Sequence, residues 1–445
     1  MIHVAGLYIC RKKKKQMCRP VLLILLMIHV WSGAAQEGAV RLSLDDALER
    51  FAACNLSLIA ERYNMDMAEA QVVQAKLFEN PVISLEQNIY NRNNGKYFDL
   101  GKEGEAVVEI EQMIYVAGQR NKRVRLEKIN KEMAAYQFEE VLRTLRGELK
   151  VKFVDLYYTR KSLSVYDREI GYLETVLDVY KEQNAKGNIS LLEKSRIQAL
   201  LLSLKRERSG ISTEAVALEG DLRLLLGLKR GEVLEPLFNE SVLDSIRLDK
   251  LPFAELSARI AERPDLKRAE AGIRASEADV RLQRSLAFPE VSLRGAYDRA
   301  GNFCNNYFAI GLSVSVPVFN RNQGNIKSAR LSVLRNNSLA ELARRQADNE
   351  LFACYTKLEK ALELYRSSDY ELERDFNRII EGVNAGFQKR NISLLEFIDY
   401  YEAYKETCLQ LYDVKKGVVM AVEELNTVVG VTFGSSQKVI GQIRI

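Results

Sequence analysis

The chain has 445 residues and a formal net charge of +5, with a hydrophobic content of 47%, enough for a sizeable core or an extended packing seam. Six basic residues and no acidic ones lie in residues 1–35, so the remainder carries 59 basic against 60 acidic side chains, a net charge of −1, which excludes a nucleic-acid footprint. Both histidines, His3 and His29, fall in the same 35 residues, which excludes Ser-His-Asp and Cys-His triads and any histidine-built zinc site from the rest; no enzymatic activity, cofactor or bound metal is expected.

Residues 1–35 read as an export signal. Arg11 and Lys12 to Lys15 form a basic region, Val21 to Val30 an apolar one, and Ser32-Gly33-Ala34-Ala35 supplies small residues before a cut ahead of Gln36. Met17 is an alternative start, because Arg19 and the same apolar run follow it. The run is too short for a spanning helix, which needs roughly 20 residues. Cys10 and Cys18 precede the apolar run, so no lipid anchor is expected there. Cys54, Cys354 and Cys408 read as small apolar residues on helices, and Cys304 as a free thiol in a polar loop. Their irregular spacing argues against a disulfide framework.

From residue 42 to 79 apolar residues recur at helical spacing, with a break at Asn55, until Pro81 stops the helix. Ile83, Leu85 and Ile89 then alternate with Ser84, Glu86 and Asn88. A polar segment, Asn91 to Glu105, follows. Val108, Ile110 and Ile114 alternate next with Glu109 and Glu111. This predicts a β-hairpin over 81–116 with a long loop. From Gln119 to about Lys186 there is no proline, which predicts about 65 residues of helix, or ~100 Å at 1.5 Å per residue. The tract ends at Gly187, before Asn188-Ile189-Ser190-Leu191-Leu192-Glu193. There the Ser-x-x-Glu spacing predicts a capping box that launches a returning helix. Residues 227–262, with two glycines and two prolines, read as a linker.

The order then repeats. A helix opens at Arg263-Pro264-Asp265 and stops before Pro289. A second hairpin spans 289–319, with Phe308, Ile310, Leu312, Val314 and Val316 alternating strictly with small residues. A second long helix is predicted from Gln323 to about Gln388. After Arg390, the hexapeptide recurs as Asn391-Ile392-Ser393-Leu394-Leu395-Glu396, 203 residues after its first copy. The returning helix carries Leu394, Phe397, Tyr401, Tyr404, Cys408, Leu411, Val414, Val418, Val422, Leu425 and Val429 in alternating steps of three and four, a coiled-coil seam. Leu192, Ile197, Leu200, Leu204, Ile211, Ala215, Leu218, Leu222 and Leu225 form a looser seam in the first copy. The expected organisation is a signal peptide over 1–35, repeat one over 36–235 with its tip at 187–193, repeat two over 236–430 with its tip at 390–399, and a tail over 431–445.

Strands with one apolar face fit either a soluble sheet or a membrane barrel. Four strands cannot close a barrel, since about eight is the smallest usual number, so the barrel reading needs several chains. An exported coiled-coil structural or adhesin-like protein is the alternative, and leaves the strands unexplained. A periplasmic adaptor is a third, but it usually carries one helical hairpin rather than two.

The chain resembles the TolC family of outer-membrane efflux proteins over essentially all of 36–430. The likeness rests on Leu42-Ser43-Leu44-x-x-Ala47-Leu48 with Asn55-x-Ser57-Leu58, on Pro81 and Pro289 ahead of the hairpins, on Tyr115-x-x-Gly118-Gln119-Arg120 and Pro317-x-Phe319-Asn320 after them, and on Gly187 six residues before Glu193. Gly118-Gln119-Arg120 is closer in flavour to the heavy-metal efflux branch. The resemblance implies a mainly α fold with a small β part: a homotrimer whose twelve strands form a barrel in outer-membrane lipid and whose helices form a periplasmic tunnel. The tips would meet a periplasmic adaptor and, through it, an inner-membrane transporter of the RND or ABC type. It implies tip contacts at Gly187, Asn188, Ser190, Arg390, Asn391 and Ser393, and an acidic constriction at Glu193, Glu396 and Asp399. The family's arginine two positions after the tip glycine is not matched. The copies also differ, with Arg196 opposite Asp399 and Gly187 opposite Arg390.

Overall fold

A computed structural model describes residues 40–101, 103–248, 252–300, 304–389 and 391–430. The export signal, the tail over 431–445 and Arg390 lie outside the described residues. The chain opens with β1 (Val40–Ser43), α1 (Leu44–Cys54) and α2 (Leu56–Ala75). Ser43 and Asp46 form a capping box on α1, and the Asn55 side chain caps α2 by accepting from the Leu58 amide at 3.1 Å. Cys54, expected as a small apolar residue, is exposed instead.

The first hairpin is β2 (Val82–Gln87) with β5 (Ala106–Ile114), and its loop folds back on itself through β3 (Tyr90–Asn91) and β4 (Lys96–Tyr97). Next come α3 (Gln119–Ala185), a single helix of 67 residues, and α4 (Leu191–Leu226). Gly118 enters α3 at φ 65 and Asn322 enters the equivalent helix of the second half at φ 56. Both strand-to-helix joints therefore need the left-handed region that Gly and Asn tolerate best.

The linker is more ordered than its glycines and prolines suggest. It contains β6 (Leu234–Leu237), which pairs in parallel with β1, then a 3-10 turn at Glu240–Ser245, and α5 (Phe253–Ile260). Four-residue strands are too short to show periodicity, and Pro236 is tolerated because β6 is an edge strand. Glu240 straps the linker to the long helices. It accepts from Lys161 of α3 and, at 3.2 Å, from Lys415 of the last helix. Burial pushes the Glu240 carboxyl up, but the two ammonium groups outweigh it and hold the group below the usual glutamate range.

The second half has α6 (Pro264–Ser285), β7 (Glu290–Ala300), β8 (Asn305–Ser315), α7 (Gln323–Ser367), α8 (Glu371–Gln388) and α9 (Leu394–Val429). The long second helix is broken, contrary to expectation. Ser367, Ser368 and Asp369 sit at the break, and both serine hydroxyls donate to the Leu364 carbonyl. Short polar side chains that bond the backbone this way compete with helix propagation. The Tyr365 and Tyr370 rings close the bend at a centroid distance of 4.7 Å.

α3 is the axis of the bundle, packing against α2, α4, α6 and α9, while α9 packs against α3, α7 and α8. Leu149, Phe153 and Leu156 join a core with Phe51 of α1 and Leu222 and Leu226 of α4. Val154, Tyr158 and Leu173 face a second core with Phe397, Tyr404 and Val418 of α9. Nine of the eleven seam residues expected on α9 are buried; Val414 and Val422 are half-buried. On α4 Leu192 departs from its expected seam and is exposed. α3 and α9 are in close contact at Gly147, where a Cβ would lie 2.3 Å from Thr427 Oγ1.

Candidate functional site: an apolar sheet face and two tips

The hairpins join into one antiparallel sheet of order β2-β5-β7-β8. Its register sorts the alternation into two faces. One carries the rows Leu85–Val108–Tyr297–Phe308, Ile83–Ile110–Gly295–Ile310 and Ile114–Val291–Val314. The other carries Glu86, Asp298, Ser292 and Ser313, with an ion pair from Arg294 to Glu109 at 3.4 Å. Within one chain the apolar face is uncovered: Ile310 is 87% exposed. Aromatic residues flank it at both ends. Exposed Tyr97 and Phe98 lie at the loop end, and exposed Phe78, Phe288 and Phe319 at the helix end. An apolar band between aromatic girdles, with a polar opposite face, is the arrangement of a membrane barrel strand.

At the other extreme of the long helices are the two tips. α3 closes with Gly187 at φ 76. The Gly187 amide donates to Asn184 O at 3.0 Å, and the Asn188 amide to Gln183 O at 3.0 Å. This is the Schellman closure, which requires a left-handed residue at the glycine. The second tip shows the same long-range bond, from the Asn391 amide to Gly386 O at 2.9 Å. Both predicted capping boxes form. Ser190 Oγ accepts from the Glu193 amide at 3.2 Å while the Ser190 amide donates to Glu193 Oε2 at 3.1 Å. The corresponding distances for Ser393 and Glu396 are 3.3 and 2.9 Å. In each box a single carboxylate oxygen, Oε2, accepts from both the serine amide and the serine hydroxyl. The Ser190 hydroxyl and amide hold the Glu193 carboxyl below the usual glutamate range, and the Ser393 amide and hydroxyl do the same for Glu396. Both groups are therefore charged at neutral pH and spend only part of their accepting capacity on their own helices.

Asp399 is exposed one turn further along α9, so Glu396 and Asp399 share a helix face. Glu193 lies on α4, in the other hairpin. One chain thus presents two acidic positions on one tip and one on the other, and a ring of carboxylates needs further copies of the chain.

The tips differ in what holds them. Tip two is clamped by a row of rings that sequence reading did not assemble. Tyr180 of α3 stacks on Phe387 (6.0 Å), Phe387 stacks on Phe397 (4.2 Å), Phe397 packs at a tilt on Tyr401 (4.6 Å), and Tyr401 stacks on Tyr172 of α3 (5.6 Å). Ile392 packs so closely on Gly386 that a Cβ there would lie 2.7 Å from its Cδ1. Tip one has polar closures instead: Asn184 Nδ2 donates to Ile189 O at 2.8 Å and Lys194 Nζ to Asn184 Oδ1 at 3.4 Å. Leu191 is 64% exposed where its counterpart Leu394 is 8% exposed.

The family model for outer membrane efflux proteins matches residues 47–228 and 256–431. Curated relatives include the pyoverdine export outer membrane protein OpmQ of Pseudomonas aeruginosa, 26% identical over 220 residues, which are 48% of this chain and 43% of that protein. The cobalt-zinc-cadmium resistance protein CzcC of Cupriavidus metallidurans is 22% identical over 302 residues, 66% of this chain and 67% of that one. This chain thus spans less than half the length of that pyoverdine exporter. Among solved structures, CusC superposes with a TM-score of 0.69 at 16% identity, covering 90% of this chain and 96% of that one. The CmeC outer membrane channel of Campylobacter jejuni gives 0.72 at 14% identity, covering 88% and 87%. These likenesses establish a shared fold.

Proposed function

This chain belongs to the outer membrane efflux protein family, and on that premise we propose that it is the outer-membrane duct of a tripartite efflux system. It passes small molecules or metal ions from periplasm to exterior as a passive conduit, without catalysis. The observation that carries the reading is the uncovered apolar sheet face joined to a helix of 67 residues. In one chain β2 and β8 are the outer strands of that sheet, with one paired neighbour each. An open edge is not tolerated in the hydrocarbon region, so the sheet must close with other copies. Three copies supply twelve strands, within the range of closed membrane barrels. The helices, of which α3 with 67 residues is ~100 Å long at 1.5 Å per residue, then extend into the periplasm.

The tips at Gly187, Asn188 and Ser190 and at Arg390, Asn391 and Ser393 face a periplasmic adaptor, and through it an inner-membrane transporter of the RND or ABC type. Glu193, Glu396 and Asp399 of three chains make an acidic constriction that favours cations over anions. What supports this is their place beside the turns, where Glu396 and Asp399 are exposed and Glu193 is half-buried. Cell fractionation tests the duct: the protein is expected in the outer membrane as a detergent-stable trimer. Recovery of a monomer without detergent would overturn it. Growth of a deletion strain on siderophores, metals, dyes and antibiotics would identify the cargo class.

A further inference from the structure

Glu169 lies at a core position of α3, in step with the apolar residues Val165, Leu173 and Val176. It is 1% exposed, and neither carboxylate oxygen has a hydrogen-bond partner. A buried carboxylate left this way must keep its proton or take a counter-ion. The side chain lines a partly open cavity of about 390 Å³ between α3, α8 and α9. That volume is within the range of small-molecule sites, which starts near 300 Å³.

The walls specify the ligand. Tyr172, Tyr401 and Tyr404 line the cavity with Asn384 and Glu381, and the Tyr172 and Tyr401 rings stack at 5.6 Å. Aromatic faces beside a carboxylate are the recognition chemistry of ammonium ions. The charges facing the cavity favour a cation. Glu169 of α3 and Glu381 of α8 line it against Arg168, while Glu207 of α4, Glu402 of α9 and Lys405 act on Glu169 from behind the lining. Both bases have other partners: Lys405 Nζ donates to Glu207 Oε2 at 3.0 Å and Arg168 Nη1 to the Tyr404 hydroxyl at 2.9 Å. Among the described residues no group of three or more His, Cys, Asp or Glu side chains is placed to hold a metal ion, so the donor set does not suit a divalent cation.

We propose that this cavity binds a compact organic ammonium ion, with the Glu169 carboxylate as its counter-ion and the Tyr172, Tyr401 and Tyr404 rings as its walls. Burial, reinforced by Glu207 and Glu402 and partly offset by Lys405, pushes the Glu169 carboxyl up to about 7. Binding is therefore proton-linked: a cation displaces the proton and binds more weakly as the solution is acidified.

Titration calorimetry on the purified full chain in detergent, with tetramethylammonium and ethylammonium chlorides as probes and sodium chloride at equal ionic strength as control, tests the site. Saturable binding is expected at pH 8, weakened at least tenfold at pH 5.5, and lost in Glu169→Gln. No saturable heat for the wild type with either probe overturns the proposal, as does a Glu169→Gln protein that binds as tightly as the wild type. If Glu169→Gln does not fold, thermal melts of the wild type decide. A rise in Tm with an alkylammonium probe at pH 8 that vanishes at pH 5.5 supports the site, and a rise no larger than that in sodium chloride overturns it.

Discussion

Phe387 and Phe397 stack with ring centroids 4.2 Å apart, and 203 residues earlier the same two positions are Asn184 and Lys194, joined by a hydrogen bond of 3.4 Å. The two turns share a backbone closure and a capping box but not a clamp. The stack ties tip two to α3 through Tyr180 and Tyr172, whereas a Lys–Asn bond that reaches solvent is readily exchanged for water. Hydrogen exchange should therefore be faster at 184–194 than at 387–397. Phe397 is fully buried, and Phe397→Ala is expected to cost about 3–5 kcal/mol and to speed exchange at tip two. Lys194→Ala should stay within about 0.5 kcal/mol. Equal protection of the two tips would remove the asymmetry.

The capping boxes make both tips sensitive to acid. Ser190→Ala and Ser393→Ala should each cost about 1 kcal/mol. Glu193 and Glu396 have depressed values in the folded chain, so the unfolded chain binds more protons in acid. Their contribution is present above the ordinary glutamate value of 4.5 and is lost as pH falls through the lower folded values. Glu193→Gln with Glu396→Gln should flatten the acid limb of a Tm-against-pH curve by lowering Tm slightly near pH 7 while leaving Tm in acid little changed.

The two faces of the sheet make opposite demands on charge. Ile310→Lys places an ammonium on the apolar face, at about 2–4 kcal/mol if the position lies at mid-bilayer. Ser313→Lys puts the same charge on the polar face. Membrane fractionation should show the first variant failing to assemble and the second assembling normally. Equal assembly of both would argue against the apolar face meeting lipid.

Lys150 and Glu423 form an ion pair at 2.7 Å between α3 and α9, with side chains 6% and 8% exposed. Asn426 Nδ2 also donates to Glu423 Oε2, at 3.2 Å. Lys150→Met leaves Glu423 buried without its cation and should cost about 3–5 kcal/mol. Lys150→Met with Glu423→Leu should recover most of the loss, so a thermal melt of the double variant separates ion pairing from packing.

Much of this arrangement is legible in the residues. A long proline-free tract marks α3, period-two alternation marks all four strands of the main sheet, and Ser-x-x-Glu marks both caps, because each is a local rule. What was not legible is non-local or competes with a local rule. The break at Ser367–Asp369 lies inside a proline-free tract, where three short polar residues outweigh helix continuity. β1 and β6 are four residues each and take their pairing from one another. The clamp joins Tyr172 and Tyr180 to rings more than 200 positions away. Glu169 did carry a signal, a charged residue in the register of Val165 and Leu173, but the helical pattern reads equally well without it.

The acidic constriction can be separated from capping because the two duties weigh charge differently. A capping box accepts Gln as well as Glu at its third position, since an amide oxygen can take the serine hydrogen bonds. Glu396→Gln should therefore leave tip two folded while removing one charge per chain, and Asp399→Asn removes a second from outside the cap. In planar bilayers the pair of substitutions should lower cation selectivity at 0.1 M salt. The effect should shrink at 1 M, where the screening length falls from about 10 Å to about 3 Å. Glu396→Ala with Asp399→Ala removes the charges, shortens both side chains and loosens the cap, so it should also raise conductance. Arg196→Ala, at the position in α4 that matches Asp399, is the control: it removes a positive charge from tip one and should not lower cation selectivity. Unchanged selectivity in the Gln/Asn variant would exclude Glu396 and Asp399 from the constriction, whatever the alanine variant does.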